Sequence, residues 1–250
     1  MNEADIADVA AALAAARTGR SIDGLSPAPQ TMAEAEAIQL ATLSALGVRR
    51  GGWKLGRAEG QIISAPMPVG PVDEAQPVLT LPSGTRIELE LALRFRDVPP
   101  SDALELQALP GIADLVVLFE FVRTRFSAPA SGYDRIADCI SNERVVAVTA
   151  SGSWSPAILE SLPLVQLFLD GAEIARHEGA HPAASLAPLL GAWQARCAGA
   201  GLALAAGEIV TLGSLTGVLP VPPEGAEYLG RIGDLPPLRC RVRPLETARA

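Results

Sequence analysis

Histidine, cysteine and aromatic residues are all scarce in this 250-residue chain, which has two histidines, three cysteines and only 4% aromatic side chains. Each shortage closes a route. Cys139, Cys197 and Cys240 are widely spaced and odd in number, with no CxxC pair, which fits a reducing compartment rather than a disulfide framework. So few rings argue against a stacking platform for bases or sugars. No uncharged apolar run approaches the roughly 18 residues of a membrane span, and Met1 to Asp5 is acidic where a signal peptide needs positive charge. A soluble cytoplasmic protein is therefore expected. Basic residues are also in deficit, 20 against 28 acidic, and the net charge of -8 offers no footprint for nucleic acid or an anionic membrane. The expected partner is small or neutral.

What is present is ample core material, 49% apolar residues, with 23 glycines and 21 prolines implying many short connections. Residues 4 to 17 carry Ile6, Val9 and Leu13 at helical spacing, and a second helix starts at Thr31, where Thr31-Met32-Ala33-Glu34 matches a capping box and Gly47 ends the pattern. Residues 53 to 55 read as a short strand and 57 to 84 as loop. From Arg86 to Phe95 odd positions are apolar and even ones mostly charged, the period of a strand with one buried face. A helix is expected over 101–109 and an apolar stretch runs over 112–123. Further strands are expected at 144–149, 164–169, 172–176, 208–213, 217–221 and 239–242, with Asp170-Gly171 as a hairpin turn. A late helix beginning near Pro182 places Leu186, Leu189, Leu190, Trp193 and Cys197 on one face. The pattern reads as one domain of mixed α and β structure with a helical N-terminal lead.

The polar residues of most chemical interest are Glu88, Glu90 and Glu120. The first two share a strand face, and the third interrupts Leu115 to Val122, where an unpaired charge would cost several kcal/mol or more. Glu120 is then protonated, paired with a base such as Arg86, Arg123 or Arg125, or bound to a cation. Three carboxylates suit Mg²⁺ or Mn²⁺; the alternative is that Glu88 and Glu90 form the solvent face of an edge strand while Glu120 makes a salt bridge. Lys54, in a chain whose other basic residues are almost entirely arginine, is either a surface residue or a functional ammonium whose pKa apolar surroundings lower. His177-Glu178-Gly179-Ala180-His181 matches HExxH, but Gly179 and Pro182 oppose the helix that a zinc peptidase needs. Gly213-Ser214-Leu215-Thr216-Gly217 offers hydroxyls and close backbone approach after a strand, or is a plain turn.

In order, Gly52-Trp53-Lys54-Leu55-Gly56, Arg86-Ile87-Glu88-Leu89-Glu90, Phe119 to Arg125, Ile136 to Ser141, His181-Pro182 and Gly207 to Leu215 resemble the 2-keto-4-pentenoate hydratase and 4-oxalocrotonate decarboxylase family. That family lies within the fumarylacetoacetate hydrolase-like group. The resemblance implies an α+β fold, a mixed β-roll over 51–245 behind a helical lead over 1–50, forming a single domain over 1–250. It implies a divalent cation, Mg²⁺ or Mn²⁺, held by Glu88, Glu90 and Glu120, and a small 2-keto acid substrate whose enolate the metal stabilises. It places Lys54 beside the substrate as the catalytic residue, lines the pocket with Ser141, Gly213, Ser214 and Leu215, and makes His181 a helix entry. It further implies a homo-oligomeric lyase, a hydratase or decarboxylase. Three departures stand out: Ala65 to Gly70 lacks the acidic residue of the family's Pro-Asp-Phe-Gly-like segment, Cys139 stands for an asparagine, and Leu212 for a threonine. They favour decarboxylation over hydration, which needs a positioned base for water. A divergent member, non-catalytic or differently acting, is the alternative.

Overall fold

Two helices open the chain, α1 (Glu3–Ala16) and α2 (Met32–Leu46). Asn2 and Asp5 cap α1 reciprocally, and the Thr31 hydroxyl accepts the Glu34 amide at the start of α2. The expected second half of the α2 box is replaced: the Glu34 carboxylate accepts from the Gln30 amide and the Met1 ammonium, tying the starts of the two helices together. Gly47, left-handed at φ +64°, stops α2. The computed structural model describes residues 1–245 apart from 59, 75, 98–104, 200, 201 and 203.

After the helices come β1 (Gly52–Ala58), β2 (Gln61–Pro66), β3 (Val78–Leu81) and β4 (Arg86–Phe95). Next are α3 (Leu109–Ile112), β5 (Ala113–Val122), α4 (Gly132–Ala137), β6 (Asn142–Thr149) and α5 (Ala157–Glu160). The chain continues through β7 (Ser161–Leu169), β8 (Ala172–Ala180), α6 (Leu186–Gly199), β9 (Ile209–Ser214), β10 (Leu219–Pro220), β11 (Ala226–Ile232) and β12 (Leu238–Pro244). One mixed sheet has the order β2-β1-β9-β4-β5-β6, with β10 also pairing β4, and the second has the order β3-β12-β11-β7-β8.

The sheets pack through the odd face of β4 and β5. Leu89, Leu91, Leu93, Val117, Phe119 and Phe121 join Val165, Leu167 and Tyr228 of the second sheet in one core, each large side chain contributing about 1.5–3 kcal/mol of burial. Gly230 makes the approach possible, because a Cβ there would lie 2.8 Å from Leu89 Cδ1 and 2.9 Å from Phe119 Cε1. Gly52 does the same where β1 runs parallel to β9: its Cβ would fall 2.1 Å from the Ile209 carbonyl oxygen.

Several expectations change. The segment 57–84, read as loop, contains β2 and β3, and β11 has no counterpart in the sequence reading. The expected helix over 101–109 lies partly outside the described residues, and its remainder is a short 3₁₀ turn, Leu106–Ala108, running into α3. The late helix starts at Leu186, not at Pro182, so His181 is a buried loop residue rather than a helix entry. The HExxH segment is strand as far as Ala180, with His177 in β8, and not a helix. Asp170 and Gly171 do form a tight turn, at φ +47° and +86°, between Leu169 and Ala172.

The even face of β4 is the largest revision. Strand β4 is central, between β9 and β5, rather than an edge. The segment after β2 begins with Met67 hydrogen-bonded to Gly51 and Gly52, and ends with Val72 bonded to Val145 and Ala147 on the outer side of β6. Met67 packs with Ala92, Val116, Leu118 and Ile209. Both faces of β4 are thus buried, and Glu88 and Glu90 with them.

Candidate metal centre

Strands β4 and β5 place Glu88 directly opposite Glu120, with Glu90 one pleat repeat further on the same face. One carboxylate oxygen from each lies within 4.8 Å of the others. Glu88 is 6% exposed, Glu90 1% and Glu120 0%. The base that Glu120 required is none of the three arginines considered. It is Lys54, whose Nζ lies 3.0 Å from Glu120 Oε1 and 3.5 Å from Glu88 Oε2. Arg123 and Arg125 pair with Glu143, Arg125 also with Asp138, and Arg86 is exposed at the start of β4.

Lys54 corrects a second expectation. Burial does act to lower its pKa, but the attraction of Glu120, Glu88 and Glu90 outweighs that and leaves it raised, so the group is an ammonium at neutral pH. Burial also lifts the Glu90 carboxyl well above the ordinary range, and the charges of Glu120 and Glu88 add to the effect. Glu120 is raised by burial and by Glu88, against the opposing pull of Lys54 and a hydrogen bond from Asn142.

Fully ionised, three carboxylates against one ammonium would leave two negative charges in a buried site, and a divalent cation would cancel them in place of the retained protons. Glu90 Oε2 and Glu120 Oε2 are buried without any hydrogen-bond partner. Unpaired buried acceptors are costly, and hard oxygen donors at this spacing are what Mg²⁺ or Mn²⁺ takes. The donor set fits such an ion.

The remaining predicted residues surround this cluster unequally. Cys139, Ile140 and Ser141 form a turn in which all three have positive φ, 50°, 50° and 61°, a conformation costing roughly 1–2 kcal/mol per residue outside glycine. It points the Ile140 carbonyl at Lys54 Nζ, 3.3 Å away. The Ser141 amide and carbonyl are engaged by Asp138 and Arg123, so only its hydroxyl is available. Ser214 pairs with Glu90 across β9 and β4. Gly213 is left-handed at φ +97°. Leu215 is buried and gives its amide to Leu89, which leaves it no backbone donor to offer.

Asn142, absent from the sequence reading, donates from Nδ2 to Glu120 Oε1 at 2.9 Å. It comes directly after the quoted segment Ile136 to Ser141, but its contact depends on the register between β5 and β6. A cavity of about 280 Å³ opens elsewhere, between α2 and α6, lined by Gln39, Trp53, Ser64 and Arg196, and none of the three glutamates lines it. Its one opposite-charge pair, Arg196 with Glu36, is already closed at 2.9 Å, whereas the glutamate cluster is the place where charge is unbalanced.

The fold is that of the fumarylacetoacetate hydrolase-like enzymes. Over 97% of this chain and 98% of the other, the structure superposes on 4-oxalocrotonate decarboxylase from Pseudomonas putida G7, complexed with magnesium and adipate, at a TM-score of 0.77 and 19% identity. The same enzyme complexed with calcium and acetate gives 0.74 over the same shares, also at 19% identity. Fumarylpyruvate hydrolase from Pseudomonas aeruginosa, in complex with Mn²⁺ and pyruvate, matches over 79% of this chain and 91% of its own, at 0.51 and 16% identity. No protein-family model and no curated protein sequence matches the chain. Among the described residues no helix is long and apolar enough to cross a membrane.

Proposed function

We propose that the protein is a metal-dependent lyase acting on a small 2-keto acid, a decarboxylase or hydratase. The observation that carries this reading is the buried cluster of Glu88, Glu90 and Glu120 with a single ammonium beside it. Held by Glu88, Glu90 and Glu120, Mg²⁺ or Mn²⁺ would supply Lewis acidity toward the negative charge that develops on a 2-keto acid. The magnesium, calcium and manganese in the neighbouring structures support this choice of ion.

The chain's own residues divide the remaining work. Lys54 is protonated and close to two ligands, so it holds positive charge beside the substrate and has a proton to give; it does not act as the base. Ser141 offers its hydroxyl from the strained turn, and Gly213 and Ser214 lie beside Glu90 on β9. Leu215 packs in the core between the sheets and has no part in this proposal. Because the segment 65–70 brings no carboxylate to Lys54, decarboxylation, which needs no water-activating base, is favoured over hydration. That same gap is what favours the second reading, a fold-conserving member without this turnover. Assembly as a homo-oligomer belongs to the same proposal and is checked by light scattering.

The test is calorimetric titration of metal-depleted protein with Mg²⁺ and Mn²⁺, then with oxalate as a mimic of the 2-keto acid enolate. Sequential binding of metal and oxalate, abolished in Glu120→Gln, supports the reading and directs a screen of 2-keto acids for CO₂ release and hydration. Failure to bind either would overturn it. Binding without turnover of any 2-keto acid would select the second reading.

A further inference from the structure

Strand β6 does not pair evenly with β5. Phe121 faces Arg144, but Val122 faces Asn142, so Glu143 is an extra residue, a β-bulge. In an unbroken ladder Glu143 would face Val122 and share the side of the sheet that carries Glu120. The bulge exchanges the two neighbours. Glu143 turns to Arg123 Nε at 3.1 Å and Arg125 Nη2 at 2.6 Å, and Asn142, fully buried, reaches Glu120. A fourth carboxylate is thereby kept out of the cluster and a neutral donor put in its place.

We propose that Asn142 is a positioning residue that sets the cation affinity of the cluster, and that the N-terminal helix acts on the site through it. This rests on the metal reading above. Glu120 Oε1 receives two donors, Asn142 Nδ2 at 2.9 Å and Lys54 Nζ at 3.0 Å, while Oε2 receives none. A carboxylate only accepts, so the amide nitrogen is the end of Asn142 that faces it. With Oε1 doubly held, the side chain is fixed in one orientation and Oε2 remains as a free donor oxygen. Asn142 is itself anchored from outside the site. Its main-chain carbonyl oxygen accepts from Arg125 Nη2 at 2.7 Å and from Arg17 Nη1 at 3.0 Å. Arg17 is the C-cap of α1, and Arg123 Nη2 donates to the Ala16 carbonyl at the same helix end. Through the Asn142 main chain the helical lead is therefore connected to the cluster.

The experiment measures Mn²⁺ affinity by calorimetry, the Mn²⁺ EPR spectrum and the unfolding temperature for wild type, Asn142→Leu, Arg17→Met and the double variant. Outer partners of metal ligands typically contribute ~10–100-fold in affinity, so Asn142→Leu weakens Mn²⁺ binding in that range and alters the EPR line shape. Arg17→Met weakens it less, and has no further effect once Asn142 is leucine, the non-additivity expected of residues acting in series. Should Asn142→Leu fail to fold, Arg17→Met, which removes the hydrogen bond to the Asn142 main chain and a positive charge near Asp138 and Glu143, still tests the path through affinity and line shape. Wild-type binding with unchanged affinity and spectrum in the variants would refute the positioning role alone. Wild-type protein that binds no Mn²⁺ would overturn both this role and the metal reading.

Discussion

Glu88 and Glu120 stand directly opposite each other on adjacent antiparallel strands, both buried. Like charges in that position are destabilising, and a sheet built for stability alone would not keep them. The pair is tolerated because Lys54, from β1, bridges both. That arrangement makes charge balance the property through which the site can be tested.

Removing the ammonium should expose the repulsion. Lys54→Met leaves three buried carboxylates without a counter-charge, and breaking such a pairing costs roughly 3–5 kcal/mol. For a chain of this size that is on the order of 6–20 °C in unfolding temperature. Mn²⁺ should recover most of the loss, because it supplies the missing positive charge. Calorimetric melting with and without Mn²⁺ checks this, and a variant as stable as wild type without metal would contradict the charge account.

Glu90 and Glu120 have pKa values raised by burial, so the folded protein holds their protons more tightly than the unfolded chain does. As pH rises above the ordinary carboxylate range the unfolded chain releases protons that the fold retains, and stability falls. The metal-depleted protein should therefore lose stability from this site between weakly acidic and neutral pH. Mn²⁺, which competes with those protons, should stabilise more as pH rises. Melting curves at pH 5 and pH 8 read both trends, and Glu90→Gln should flatten them.

His181 runs in the opposite sense. Burial first, and then the nearby His177, lower its pKa from 6.5 to about 4. Its Nδ1 accepts the Ala183 amide at 3.1 Å, a bond that protonation at Nδ1 would break. The contribution of this group is complete above pH 6.5 and is lost as pH falls from 6.5 towards 4, where the folded state must take up a proton that the unfolded chain already holds. His181→Gln should remove this part of the acid sensitivity, as seen in melting curves across that window, and an unchanged slope would argue against it.

Gly52→Ala tests how the lysine strand is set against the glutamates. The new methyl group would meet the Ile209 carbonyl at 2.1 Å, and neither backbone can yield without parting β1 from β9. A loss of about 3 kcal/mol or more is expected from forced overpacking of this kind. Lys54, two residues on, should move from Glu120, weakening Mn²⁺ binding as well. Normal stability and affinity would show that the β1–β9 contact is adjustable.

Much of this was legible in the chain itself. Period-two alternation marked β4, an apolar stretch interrupted by Glu120 covered β5, and Thr31 and Gly47 marked the ends of α2, because each depends on neighbours close in sequence. The three glutamates drew notice for a local reason too, since a carboxylate among Leu, Val and Phe demands an explanation. The strands β2, β3 and β11 were hidden by the prolines and glycines around them, Gly225 and Gly233 on either side of β11.

What the sequence alone determined was many of the elements, and the residue types that can carry charge or bind a cation. The tertiary structure decided their meaning. The segment from Met67 to Val72 turned the charged face of β4 inward, and the placement of β1 beside β9 chose Lys54 over three arginines as the partner of Glu120. A one-residue bulge chose Asn142 over Glu143. Each of these choices joins residues that are distant in the chain, or turns on a register that shifts every side chain to the other face when it slips by one. Local pattern cannot carry that information, because the energies that select it come from contacts made only when the two sheets and the helical lead are in place.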